Sequence, residues 1–140
     1  MLLLRSIVAI CLPAVAATVL AEPRNTNDGV YTKAQAKAGE QIYRTQCLTC
    51  HDKKYFRPVF KAWNEQSLQV FYQVMSASMP ESNPGSLSSA DYVDILAYIL
   101  SLNRYQAGDT ELSNEGDALA GITIVPRQRK PAREQSPAGE

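Results

Sequence analysis

The sequence predicts an all-α domain of three main helices joined by long loops. Three observations carry this. Apolar residues recur at helical spacing in three separate segments, side chains able to cap a helix precede two of them, and no segment alternates as a strand would.

The first helix lies in "YTKAQAKAGEQIYRTQ". Thr32 and Gln35 have capping-box spacing, which starts the helix at about residue 33. Ala34, Ala38 and Ile42 stack at steps of four, and Gly39 and Tyr43 make a second pair. A glycine inside a helix costs ~1 kcal/mol against alanine, so Gly39 predicts a close helix crossing. The second helix lies in "NEQSLQVFYQVMSASMP", where Leu68, Phe71, Tyr72 and Met75 fall at i, i+3, i+4 and i+7 and Pro80 stops the run. The third is "SADYVDILAYILSLN". Ser88 is its N-cap with Asp91 at N3, Leu87 and Tyr92 are spaced as a hydrophobic staple, and Tyr92, Ile95, Leu96, Ile99 and Leu102 form the apolar stripe. Asn103 ends it. The stretch "DKKYFRPVFKAW" reads as an aromatic and basic loop, and "ESNPGSLSS" as a turn-rich one.

The ends differ from this packed part, which spans about residues 31–103. "MLLLRSIVAICLPAVAATVLAEP" has one early arginine, a short apolar run broken by Pro13, and small residues before Glu22. That is the pattern of a secretory signal over 1–21, with cleavage expected after Ala21 and no lasting membrane anchor. Cys11 is expected to leave with it. Residues 22–30 read as a flexible lead-in. Residues 104–140 form an extension containing the apolar run "GITIV", and at least 126–140 are expected to be disordered, having no large apolar side chain. The 14 basic and 14 acidic residues balance, so nothing in the global charge points to nucleic acid or a membrane surface.

A core of about 70 residues is thin, and domains of this size usually need a disulfide, metal or cofactor as a staple. The chemistry for one is gathered in "CLTCH": Cys47, Cys50 and His51, the only histidine. Three chemistries compete. A structural zinc site needs four ligands, and a carboxylate such as Asp52 would have to complete this set. A Cys-x-x-Cys dithiol site favours a helix start beside a strand, and no strand precedes Cys47. Covalent haem c uses Cys-x-x-Cys-His as it stands, with Cys47 and Cys50 as thioether tethers and His51 as axial ligand. Attachment of this kind takes place outside the bacterial cytoplasm, which suits an export signal and a periplasmic location.

With one histidine, a second axial ligand is a methionine, a lysine or absent. Met79 precedes Pro80, which pushes it out of helical conformation and leaves its thioether free to turn to the iron. Met75 is the alternative, at a spacing that also suits core filling. The Pro58 carbonyl is a candidate to accept the His51 Nδ1–H, and Trp63 and Tyr72 are candidates to hydrogen-bond a haem propionate. Between Lys33 and Lys61 stand seven bases (Lys33, Lys37, Arg44, Lys53, Lys54, Arg57, Lys61) and two acids (Glu40, Asp52), a candidate docking face for an acidic partner.

The ordered set "AGEQIY…CLTCH", "MP" and "LSSADYVDILAYILSLN", over roughly residues 34–103, resembles the class I, single-haem cytochromes c. The resemblance implies the all-α cytochrome c fold around one covalent haem. Its first and last helices would cross, with Gly39 and Tyr43 against Ala97 and Tyr98, and His51 and Met79 would be the axial pair. It implies an exported electron carrier exchanging electrons with redox proteins, not an enzyme in itself. Two alternatives stand beside it: a haem subunit bound permanently to a periplasmic dehydrogenase, and a five-coordinate haem that binds a gas or peroxide. The chain departs from the family where Asp52 follows the histidine in place of glycine, and where "DKKYFRPVF" is bulkier than the usual loop. "TELSNEGDALAGI" resembles the tails of small haem proteins that accompany periplasmic dehydrogenases.

Overall fold

The computed structural model describes residues 24–128. The expected export signal, Cys11 and the tail from residue 129 onward lie outside the described residues. The protein is mostly helical, in the order β1 (Arg24–Asn25), α1 (Lys33–Gln46), α2 (Phe56–Ala62), α3 (Leu68–Ser78), α4 (Ser89–Leu102) and β2 (Ile122–Thr123).

The caps follow the sequence. The Thr32 side chain accepts the Gln35 N–H at 3.1 Å and opens α1. Ser88 opens α4 in a complete capping box with Asp91, and Ser67, not singled out from the sequence, opens α3. Gln35, by contrast, does not return to Thr32. It is buried, and its amide makes two hydrogen bonds to the backbone of Leu112, accepting at 2.9 Å and donating at 2.8 Å.

Four helices stand where three were expected. The addition, α2, occupies part of the stretch read as a loop. Its apolar residues Phe56, Val59, Phe60 and Trp63 have the i, i+3, i+4, i+7 pattern, but over eight residues that signal is short. Asp52 prepares the helix, its Oδ1 accepting the N–H groups of Lys54 (2.8 Å) and Tyr55 (2.9 Å) in the turn before it. Pro58 sits at the third position, where a helix has no internal partner for the missing N–H.

The centre of the molecule is α4. Eight of its residues, Tyr92, Val93 and Ile95–Leu100, are buried, more than one stripe. α1 crosses it on one side at Gly39, whose nearest neighbours are the backbone atoms of Asp94 and Ile95, about one turn before the expected Ala97. A methyl group at Gly39 would overlap the Asp94 carbonyl oxygen. Tyr43, fully buried, meets Tyr98 edge-on with ring centres 5.2 Å apart, as expected.

The packed body extends past 31–103 in both directions. Tyr105, Leu112, Leu119, Ile122 and Ile124 are buried after α4, and Thr26 and Val30 before α1. The two ends meet: β1 pairs with β2 in parallel, Arg24 opposite Ile122 and Asn25 opposite Thr123. Gly108 donates to the Tyr31 carbonyl at 2.8 Å, and its lack of a side chain lets it lie against the Gly29 carbonyl. Asn27 reaches Pro126 and Gln128, so the first residues of the segment expected to be disordered are held.

Replacing Gly39 with alanine gains ~1 kcal/mol of helix propensity but forces α1 and α4 apart at backbone contact. Overpacking of this kind costs roughly 1–3 kcal/mol or more. Gly39→Ala is therefore expected to lower the denaturant midpoint, and an unchanged or raised midpoint would show that the crossing is not tight.

Candidate functional site

The residues of "CLTCH" are placed by the end of α1. Cys47 closes the helix, its N–H and that of Leu48 both donating to the Tyr43 carbonyl at 2.9 Å. The chain then makes one further turn, with Cys50 and His51 donating to the Cys47 carbonyl at 3.1 and 2.8 Å. Positions i, i+3 and i+4 of a helical turn share a side. Cys47, Cys50 and His51 accordingly line one cavity, of about 590 Å³.

The rest of that cavity is mainly apolar. Tyr55, Phe56, Val59 and Trp63 come from α2 and its approach, Phe71, Val74, Met75 and Met79 from α3 and its end, and Ile95 from α4. Met79 is the C-cap of α3 with φ −124° and ψ 151°, the extended conformation expected of a residue before proline. Met75 lines the same cavity one turn earlier, so both sequence candidates arrive at the site.

Two buried tyrosines outside the cavity lining hold the backbone at these positions. The Tyr43 hydroxyl, from α1, donates to the His51 carbonyl at 2.6 Å and lies 3.3 Å from that of Asp52. Burial pushes its pKa up, so it remains a donor at any working pH. The Tyr92 hydroxyl, from α4, donates to the Met79 carbonyl at 2.5 Å. Sequence reasoning placed both residues in the core without assigning their hydroxyls. The available signal was chemical, since a buried tyrosine O–H usually finds a partner.

His51 stacks on Tyr55, ring centres 4.2 Å apart, and Phe56 lies 5.9 Å away. Its Nδ1 is buried with no hydrogen-bond partner. The bond expected from Pro58 is not made, because the chain there is helical and Pro58 is exposed outside the cavity. Trp63 reaches the cavity wall and packs on Phe71 at 5.1 Å. Tyr72 does not reach it: its ring faces Tyr92 and its hydroxyl accepts a hydrogen bond from Asn114 at 3.1 Å. The propionate contact expected of Tyr72 therefore has no support here.

The three chemistries fare differently. Among the described residues no three His, Cys, Asp or Glu side chains are grouped to hold a metal ion, so the zinc reading lacks its ligand set. A reactive dithiol needs a lowered thiol pKa, as at a helix N-terminus. Cys47 is instead at the negative end of α1, and burial pushes its thiol up. A covalently attached haem suits the residues present. Two thiols, an imidazole with an unpaired buried nitrogen and two thioethers share one apolar cavity, whose size falls in the ordinary range for cofactor sites.

Comparison with known proteins agrees with this chemistry. Residues 34–99, just under half of the chain, match the family model described as cytochrome C oxidase, cbb3-type, subunit III. The chain is similar to that family over α1, the cysteine turn, α2, α3 and most of α4. No curated protein and no solved structure matches. No helix among the described residues is long and apolar enough to cross a membrane.

Removing one hydroxyl from a buried pair costs roughly 0.5–1.5 kcal/mol, or more when the partner is left unpaired. Tyr43→Phe and Tyr92→Phe should each lower unfolding stability by about that amount. Tyr98 donates only at 3.4 Å, to the partly exposed Glu40 carboxylate, and should lose less, so Tyr98→Phe is the comparison. Denaturant unfolding of the full chain checks all three, and equal effects throughout would deny the two buried bonds a special role.

Proposed function

We propose that this chain is an exported electron-transfer protein, a single-haem cytochrome c whose cofactor is tethered through Cys47 and Cys50 and ligated by His51 and Met79. The observation that carries this is the convergence of those four side chains, with Met75, on one apolar cavity. A haem bound there supplies a one-electron Fe(II)/Fe(III) couple, and thioether ligation favours the ferrous state.

The protein's own work is to hold and to exclude. The turn after α1 presents both thiols on the side that carries the imidazole. Tyr43 and Tyr92 fix the backbone at the two ligand positions. Phe56, Val59, Phe71 and Ile95 give the cavity apolar walls, a surrounding that would lower the polarity around a bound group. His51 and Met79 would both hold the group through protein atoms, leaving no place on it for a substrate, so the chain would pass electrons and not act as an enzyme itself. The five-coordinate alternative loses ground because two methionines line the cavity.

The basic face survives in reduced form. Glu40 binds both Arg44 (3.3 Å) and Lys53 (3.2 Å), and chiefly the hydrogen bond from Lys53 holds its carboxyl below the usual range. Lys54, Arg57 and Lys61 have no ion pair among the described residues and are exposed around α2. With Lys33 and Lys37 of α1, also exposed and without an ion pair among the described residues, they are the charges left to steer an acidic redox partner in the periplasm. A second reading, a haem subunit held in a larger complex of an oxidase or dehydrogenase, draws support from the name of the matching family.

Protein produced in a haem-attaching host and analysed by intact mass should carry one covalent haem and no titratable thiol at Cys47 or Cys50. Its absorption spectrum should change reversibly on reduction, and the oxidised form should show a thioether–Fe(III) ligand-field band. A colourless product with two free or bridged thiols would overturn the proposal.

A further inference from the structure

α3 brings Met75 and Met79 to the cavity, yet it buries only Leu68 and Phe71, both in its first half. From Tyr72 to Ser78 its residues are half-buried or exposed, and Val74 is 49% exposed. Packing alone does not fix such a helix end. Hydrogen bonds to the segment that follows α4 secure the start of α3. Glu65 donates to Ile124 at 2.9 Å, Ile124 to Gln66 at 2.8 Å and Gln69 to Leu119 at 3.2 Å, while Ser67 bridges Thr123. Further along, Asn114 holds Tyr72. That segment is itself anchored to the body of the domain. Gln35 of α1 grips Leu112, the Tyr31 hydroxyl donates to the Tyr105 carbonyl at 2.8 Å, and the Tyr105 hydroxyl donates to Val125 at 2.6 Å.

We infer that residues 104–125 are a clasp that positions α3, and with it the methionine sulfur, against the body that carries Cys47, Cys50 and His51. The clasp itself follows from the hydrogen bonds and burial; its bearing on the sulfur rests on the proposed function. It gives the C-terminal segment a task inside the domain. It also means that deleting 104–140 would strip buried side chains from the core, so such a deletion does not test for attachment to a partner.

The test uses full-length protein with Leu119→Ala and, separately, Ile124→Ala. Both residues are fully buried on the clasp. Amide hydrogen exchange should accelerate by about tenfold or more over Phe71–Ser78, while Ala36–Tyr43 of α1 and Ile95–Leu100 of α4 change by less than about threefold. In the oxidised haem protein, the thioether ligand-field band should disappear at a pH about one unit lower than in the parent, a tenfold loss of ligand retention. Should these variants fail to fold, Asn114→Ala, which removes only the bond to Tyr72, should show the same local pattern at about twofold to threefold. Equal acceleration in all helices, or none in α3, would overturn the clasp. A parent protein without the band would strike the haem reading, and the exchange pattern would still decide the clasp.

Discussion

The close approach of α1 to α4 at Gly39 is the constraint on which the rest of the molecule depends. With no side chain there, the α1 backbone rests on the carbonyl of Asp94, and Tyr43 is driven into the core against Tyr98. From that position Tyr43 reaches the carbonyl of His51, so the crossing sets where α1 ends and where the cysteine turn begins. The same central helix, α4, carries Tyr92 to Met79. One rigid pair of helices thus holds the backbone at both proposed ligand positions.

A domain so small should be short of apolar surface to bury. The protein answers this in two ways. The segment after α4 adds five buried side chains to the core and seals the N-terminal lead-in through the β1–β2 pair. Even so, an apolar cavity of about 590 Å³ lies beside that core. Burying a rigid apolar plate there would contribute at ~25 cal/mol per Å², a stabilisation the surrounding side chains cannot supply to one another. The need for a staple and the chemistry of the cysteine turn therefore point to the same place.

What could be read from the sequence was local. Helix caps at Thr32 and Ser88 act within four residues, and the effect of Pro80 on Met79 acts within one. The shared side of Cys47, Cys50 and His51 follows from a single turn. The glycine at 39 announced a crossing, although its partner lay about one turn from the residue named by family resemblance. What escaped was non-local or short. α2 is a seven-residue helix whose periodicity fills barely two turns. Gln35 looked like half of a capping box but is spent on Leu112, 77 positions away. Tyr72 looked free for a cofactor, yet Asn114 claims its hydroxyl. The polar, acidic look of residues 104–125 hid Tyr105, Leu112 and Leu119, spread singly along the chain, and the short run that holds Ile122 and Ile124 gave no sign of where it packs.

The most direct measurement is X-ray absorption at the iron edge of the purified oxidised protein. The account predicts nitrogen scatterers from a porphyrin and one imidazole, together with a single sulfur in the first shell that is lost in Met79→Ala. A first shell of nitrogen and oxygen only, or a sulfur that persists when Met79 is replaced and disappears when Met75 is, would contradict the assignment of the cavity on which the account rests.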